Sequence, residues 1–441
     1  MQNNELTGSR SQLIAAGNTD LVNFTTTTDL SSITDNRSIE GYFSRLNYDL
    51  DEKYFISLSA RADGTSRFAP DKRWGTFYSV GAAWRIDQED FMKNISWVNN
   101  LKLRGSFGQT GNEDIGTFYA WQNLYILGSG VNNAAEAGLI QDRAPGNPNL
   151  QWETNNAFDV ALEFGVFDKK ITGTVEYFHK ESSDLLFDVP LPFSTGLTSQ
   201  FANIGTMLNK GIELELNVTP VRTKDFEWTV SANVTAMNNQ STKMPETSPT
   251  IVSGTKRLEV GRSIQNYYLR EFMGVNPATG ESEYRAITLN PANSRITAAG
   301  DTVTNNINNA RFRTMDAEAI PDFYGGFSNS LTYKGLTLSA LFVYQLGGKV
   351  YDGAYAGLMG TGGYGSSKHP DILNRWQKEG DITNVPRMDN GRTADFNGAS
   401  DRWLIDGSAL SLRSVTLAYN LPKSLLQKVK LADVYKRQTY Y

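Results

Sequence analysis

Residues 42–62 read YFSRLNYDLDEKYFISLSARA, and the fold follows from how that stretch divides. Residues 42–50 place Tyr42, Ser44, Leu46, Tyr48 and Leu50 on one side and Phe43, Arg45, Asn47 and Asp49 on the other. Side chains that alternate with a period of two belong to a β-strand with one apolar and one polar face. Residues 54–62 repeat the pattern after only Asp51-Glu52-Lys53. Two long strands joined by so short a link form an antiparallel hairpin.

The same rhythm recurs along the chain. Residues 158–167 and 171–178 are separated by Asp168-Lys169-Lys170, and residues 331–333 and 336–346 meet at Lys334-Gly335. Between such pairs lie long polar stretches at 109–151, 238–262, 276–322 and 347–401. Tight turns at one end and large loops at the other predict an outer-membrane β-barrel. The fold class expected is all-β, an antiparallel transmembrane barrel with roughly a dozen strands in this chain. A soluble β-sandwich shares the alternation but has no reason to sort its loops by length. Strand length points the same way: residues 154–167 and 204–219 each run to about ten residues or more, as tilted membrane strands require.

Polar faces identify a candidate functional surface. In residues 211–219, Ile212, Leu214, Leu216 and Val218 oppose Glu213, Glu215, Asn217 and Thr219. In residues 226–236, Trp228, Val230, Ala232 and Val234 oppose Glu227, Thr229, Ser231 and Asn233. The second set, together with Arg45 and Asn47, is expected to face the lumen. Short helical turns are expected at 87–99 and, within a long loop, at 370–379.

Composition removes several function classes. Hydrophobic residues make up 39% of the 441, and no window approaches the apolar run of about 18 residues that a membrane helix needs. The net charge of −5 has no single-sign block, which argues against nucleic acid. The absence of cysteine removes thiolate-metal and thiol-nucleophile chemistry. His179, at an expected strand end, and His369, in a loop, stand far apart without ligand-spaced carboxylates, so no metal site is expected. No catalytic residue and no cofactor are assigned.

Other motifs read as structure. Gly360-Thr-Gly-Gly-Tyr-Gly365 matches G-x-G-x-x-G but lies in a Gly/Ser loop, lacking the strand and helix a dinucleotide site needs. Glu213 and Glu215 share a strand face, which suits an acidic row better than a glycosidase pair across a cleft. Asp63-Gly64 marks a turn. Trp121, Tyr119 and Tyr125 could stack on a ligand, but loop packing is the default reading.

Several segments carry a family resemblance. Residues 61–70 (RADGTSRFAP), 73–85 (RWGTFYSVGAAWR) and 101–112 (LKLRGSFGQTGN) are three. Residues 147–153 (NPNLQWE), 203–213 (NIGTMLNKGIE) and 410–422 (LSLRSVTLAYNLP) are the others. In order and spacing they resemble the SusC/RagA family of TonB-linked outer-membrane proteins. The resemblance implies a nutrient importer in the outer membrane of a Bacteroidota-type bacterium, not an enzyme, built as a large barrel of about 22 strands filled by an N-terminal plug. It implies a SusD-like surface lipoprotein as partner, a TonB complex acting through the plug, contact with outer-membrane lipid, and an oligosaccharide or peptide substrate.

The chain departs from that pattern at both ends. It begins Met1-Gln2-Asn3-Asn4-Glu5, with no signal segment, TonB box or plug, and residues 432–441 do not fit the family's final strand. The expected organisation is a leading loop or edge segment at 1–41, the barrel portion at 42–431 and an atypical tail at 432–441. Such a piece is not expected to insert in a membrane or transport alone. The rival readings are a secreted β-sandwich binding glycans through loop aromatics, and a plugless barrel acting as adhesin or porin.

Overall fold

A computed structural model describes residues 2–13, 24–129, 137–141, 145–245, 249–363 and 365–421. The atypical tail expected at 432–441 lies outside them. Eleven strands form one antiparallel sheet: β1 (Ile39–Leu50), β2 (Tyr54–Thr65), β3 (Trp74–Arg85), β4 (Val98–Asn112), β5 (Glu153–Val166), β6 (Ile171–Ser183), β7 (Thr206–Arg222), β8 (Phe226–Lys243), β9 (Phe323–Tyr333), β10 (Leu336–Leu346) and β11 (Ala409–Tyr419). Each strand hydrogen-bonds to its neighbours in sequence, so the sheet is an uninterrupted meander with β1 and β11 at its ends. A separate hairpin pairs Gln2–Leu13 with Phe24–Asn36.

The turn chemistry accounts for the short connections. Lys334 and Gly335 both take positive φ, 46° and 86°, which is the two-residue turn whose twist matches paired strands. Asp51 and Glu52 do the same at 56° each, and the Asp49 carboxylate accepts from the Glu52 amide at 2.9 Å. The turn after β5 also holds Phe167, Asp168 and Lys169 at positive φ.

Register then sorts the faces. Leu46 lies opposite Leu58, Tyr48 opposite Ile56 and Leu50 opposite Tyr54. Leu331 pairs with Leu338, and Leu338 with Leu417, so one apolar row crosses three strands. Phe327 and Phe342 stack at 4.7 Å within the same face. A slip of one residue would turn all of these over. That face is uncovered: Leu46 is 61% exposed, Val80 43% and Leu417 68%. A water-soluble monomer rarely shows a contiguous apolar surface of more than a few hundred Å². The sandwich reading would require this face to be a packed core, and it is the exposed one.

One close approach on this face depends on glycine. The Tyr344 hydroxyl donates to the Asn233 carbonyl at 3.0 Å, across the strand that carries Gly325. A Cβ at Gly325 would come within 2.1 Å of that carbonyl oxygen. Gly325→Ala is therefore expected to lower the unfolding midpoint of the protein by the equivalent of about 1–3 kcal/mol. An unchanged midpoint in a urea titration would show that the strands shift apart freely.

The chain divides into two compact units, one made of Met1–Ala83, Gly105–Phe158 and Lys180–Met207, the other of Trp84–Arg104, Asp159–His179 and Leu208–Tyr441. The first has a core of Phe68, Phe77, Ile115, Ala120, Leu150 and Trp152. The Trp152 ring meets Phe68 and Phe77 edge-on at 5.9 and 5.5 Å, and its Nε1 donates to the Arg73 carbonyl at 2.8 Å. Phe77 fits because Gly111 has no side chain; a Cβ there would sit 2.1 Å from the ring. Asn203 closes the arrangement, accepting from the Gln151 amide at 2.9 Å and donating to the Gln151 carbonyl at 2.8 Å. Five segments that carry the family resemblance thus contribute to one core and its borders.

The second unit contains the two longest connections, and they are folded. Thr250–Ser253, Lys256–Glu259, Asn266–Arg270 and Phe312–Glu318 make one four-stranded sheet; Phe272–Val275, Ser282–Arg285, Ser294–Ile296 and Thr302–Thr304 make another. Residues 263–275, between the polar stretches at 238–262 and 276–322, belong to this loop body. The reason is burial: Tyr267, Leu269 and Met315 form a local core that a half-exposed sheet face could not supply. The helix expected at 370–379 is only a turn, Pro370–Asn374, started where the His369 Nδ1 accepts from the Asp371 amide. It ends early because the Trp376 amide pairs with the Val385 carbonyl and carries the chain away. The expected turn at 87–99 is present as Ile86–Gln88 and Asp90–Met92. His179 lies inside β6 rather than at its end. No described helix is long and apolar enough to cross a membrane.

Candidate transport surface

The polar face is organised around Arg104. Alternation puts Lys102 and Arg104 of β4 on one side, where Asp159 and Glu163 of β5 and Glu176 of β6 face them. The Arg104 guanidinium reaches all three carboxylates, at 3.3 Å to Asp159, 3.0 Å to Glu163 and 2.5 Å to Glu176. Lys102 adds a 3.4 Å contact to Glu163. One forked cation so ties three adjacent strands through charge-assisted hydrogen bonds. These groups are part-exposed, so the network orders the wall more than it stabilises the fold.

Beside it lies a recess of about 420 Å³ lined by Arg104, Thr174, Glu176, Glu213, Glu215 and Asn233, among others. Three residues singled out in the sequence, Glu213, Glu215 and Asn233, are therefore brought together with a fourth, Arg104, that was not. Asn217 donates to Glu215 at 3.3 Å, and Asn233 accepts from the Gly326 amide at 2.7 Å. Arg45 and Asn47 lie in the other unit, hydrogen-bonded to each other at 3.2 Å. Arg104 stood in a quoted motif, and its signal was the alternation of Lys102 and Arg104 between Leu101 and Leu103. The surface can solvate and align polar solutes. Among the described residues, no group of three or more His, Asp or Glu could hold a metal ion.

The loop body has its own electrostatics. Glu281 binds Arg392 at 2.6 Å and Arg387 at 3.3 Å, and both guanidiniums flank the buried ring of Phe396. This joins the β8–β9 connection to the β10–β11 connection. Burial pushes the Tyr284 hydroxyl up to about 12, while it accepts from the Gly398 amide. Burial between the rings of Phe272 and Trp403 pulls Arg402 down to about 10. The Ser408 hydroxyl and amide, then Lys349, hold Asp406 down to about 2. Burial likewise lowers Lys256, over the Tyr267 ring, from 10.5 to about 8, against the opposing charge of Glu318.

Lys256 gives a pH dependence with a definite sign. Between about 8 and 10.5 the unfolded segment holds a proton that the folded one has released, so the loop body gains stability as pH rises through that window. Below 8 both states are protonated and the burial cost is fully present. Thermal melting of the protein should show a higher loop transition at pH 10 than at pH 8, and Lys256→Met should flatten the difference. A transition that falls over this range would contradict the assignment.

The G-x-G-x-x-G stretch follows the short helix Gly353–Leu358, and Lys368 donates to the Gly362 carbonyl, so its neighbourhood is a tied loop. The Tyr119 hydroxyl accepts from the Asn36 amide at 2.9 Å. Tyr119 is thus occupied in packing; the Tyr125 side chain lies outside the described residues.

The family described as TonB dependent receptor-like, beta-barrel matches residues 3–367. The chain belongs to that family. It is 32% identical over 410 residues to TonB-dependent receptor P26 of Formosa agariphila, covering 90% of this chain and 41% of that protein. It is 37% identical over 215 residues to TonB-dependent receptor SusC of Bacteroides thetaiotaomicron, covering 47% of this chain and 21% of that one. Among solved structures, the RagAB peptide importer in its closed-closed state superposes with a TM-score of 0.81 at 27% identity, over 96% of this chain and 46% of the importer chain. The chain thus spans about two fifths of the curated relatives it matches along most of its length. The curated relatives are named as receptors, and the superposed structure as a peptide importer.

Proposed function

We propose that this TonB-dependent receptor chain is the barrel portion, over residues 42–431, of an outer-membrane importer of oligosaccharides or peptides. In this reading a SusD-like surface lipoprotein covers its extracellular side and a TonB complex supplies energy through a plug. The setting is the outer membrane of a Bacteroidota-type bacterium. The observation that carries the reading is the division of one sheet into an exposed apolar face and a charged face with open recesses. Lipid suits the first, and a hydrated solute path suits the second. The loop body, held by its own cores, is the surface on which a lid and substrate would rest.

The test uses the full-length receptor, because an open sheet leaves unpaired N–H and C=O groups that hydrocarbon does not tolerate. Glu213→Cys should react with a membrane-impermeant maleimide in reconstituted vesicles, and Val80→Cys should react only with a lipid-soluble one. Cells carrying the receptor should take up labelled peptide or glycan only when the inner membrane is energised. Uptake independent of that energy would favour a passive porin, and reversed labelling would invert the face assignment.

A further inference from the structure

Asp63-Gly64, a turn signature in the sequence, lies inside β2 and seats an aromatic ring. Gly64 stands opposite Glu40 of β1, and Trp74 opens β3 on the other side of β2. A Cβ at Gly64 would lie 3.0, 3.0 and 3.1 Å from three atoms of the Trp74 indole, so that ring rests face-on against bare backbone. The Tyr42 ring stacks beside it, with centroids 6.1 Å apart and planes 21° from parallel. Alternation puts Glu40, Tyr42, Gly64 and Trp74 on the same side as Leu46, Leu58 and Val80, which is the uncovered apolar face. Trp74 remains 52% exposed and Tyr42 63%.

Glu40, Gly64 and Trp74 line a recess of about 470 Å³ that also takes in Ser38 and Ser66. It lies at the end of β1 and β2 remote from the tight turn at 51–53, beside the longer β2–β3 connection. The Ser66 hydroxyl accepts from the Ser38 amide at 3.0 Å, and the Ser66 amide donates to the Ser38 carbonyl at 3.0 Å, which fixes the rim. Glu40 is the unexpected member. It is a carboxylate on the apolar side of the sheet, oriented by the Tyr42 hydroxyl at 2.5 Å and without an ion pair among the described residues.

We infer that this recess holds the sugar headgroup of an outer-leaflet glycolipid, with a pyranose ring on Trp74 and its hydroxyls donating to Glu40. The C–H face of a pyranose is apolar and packs on an exposed aromatic ring. An interfacial ring alone would suit any lipid; the carboxylate beside it is what discriminates. An ionised carboxylate only accepts, so it selects a headgroup rich in O–H donors and disfavours a bare phosphate. Long loops mark the external end of a membrane barrel, which puts this rim at the headgroup level of the outer leaflet. Leu46, Leu58 and Val80 continue the exposed apolar surface toward the middle of the strands, where the acyl chains lie. A transported solute would meet the opposite, charged face. The inference rests on the reading of the apolar face as lipid-facing and gives that lipid a headgroup.

The experiment titrates the purified full-length receptor with monophosphoryl lipid A, phosphatidylethanolamine, phosphatidylglycerol or free maltotriose, and counts bound molecules by native mass spectrometry. Monophosphoryl lipid A should bind about tenfold more tightly than either phospholipid, with maltotriose weaker than all three. Trp74→Ala should lower lipid A affinity about tenfold and Glu40→Gln about threefold, with phospholipid binding unchanged. Leu50→Ala, at the tight-turn end of the same strand, should alter none of these. Phosphatidylethanolamine binding as tightly as lipid A would show that the carboxylate reads an ammonium. Tighter maltotriose would assign the recess to a free solute, and an unchanged lipid A affinity in Trp74→Ala would show that the ring holds no sugar. Any of the three overturns the assignment. Each variant is checked for heat-modifiable migration, so that loss of fold is not read as loss of binding. Labelling of Val80→Cys by an impermeant maleimide would sink the lipid-facing reading itself, whereas lipid-soluble labelling together with an indifferent Trp74→Ala would sink only the headgroup site.

Discussion

An arginine at Val80 should destabilise the full-length receptor by about 2–4 kcal/mol, the penalty for a cation on the lipid side of a barrel near mid-membrane. Val80 lies near the middle of β3 and points away from the polar face, with 43% of its surface exposed. Its neighbours on that face include Tyr78, whose ring lies 6.1 Å from Phe107. A charge there would have to shed its hydration or draw water into hydrocarbon. Ser57 supplies the contrast. It sits on the opposite face, across from Asn47, and Ser57→Arg should shift stability by only a few tenths of a kcal/mol. Urea unfolding in lipid vesicles measures both. Equal effects at the two positions would mean that the apolar face does not meet lipid, and the barrel reading would lose its main physical support.

Phe68→Ala should cost about 3–5 kcal/mol, the range for emptying an aromatic site in a packed core. Phe68 is fully buried, and its ring contacts Trp152, the residue that also receives Phe77. The preceding residue strengthens the expectation. Arg67 is buried, donates to Asp114 at 2.8 Å and to the Glu113 carbonyl at 3.3 Å, and lies 4.9 Å from the Phe118 ring. Glu113 in turn accepts from Arg37. Removing the Phe68 ring should therefore loosen residues 66–73 and 113–120 together. Limited thermolysin digestion should cut both segments faster, and Trp152 emission should move to the red. Phe43→Ala, at an exposed edge position, should do neither. Protection unchanged in Phe68→Ala would show that the segment is not wedged as the packing indicates.

The two positions illustrate how much could be read in advance. Val80 stands in residues 73–85, whose alternation is plain without any structure, because the pleat alone sends neighbouring side chains to opposite faces. Phe68 was different. Asp63-Gly64-Thr65-Ser66-Arg67-Phe68 looked like the start of a loop, and a turn signature says nothing about which ring will be swallowed. Its partners at 77, 115, 150 and 152 come from three other segments, so the burial is a non-local property. The candidate surface divides the same way. Glu213, Glu215 and Asn233 were assigned to the polar face from period two, and they line one recess. Arg104 became central only when β5 and β6 lay beside its own strand and presented their carboxylates to it.

The loop body marks the limit most sharply. Arg270 bridges to Ser400, and Glu281 holds Arg387 and Arg392; these partners lie more than a hundred positions apart in the chain. Nothing in the spacing of residues 244–322 or 347–408 announces such pairs, because polar connections have no periodicity to project. Strand identity, face and turn placement were legible from local pattern, since the backbone's own geometry enforces them residue by residue. Which loops fold into a body, which carboxylates keep a free charge, and where a recess opens were settled only by tertiary packing, which unites groups that the chain keeps apart.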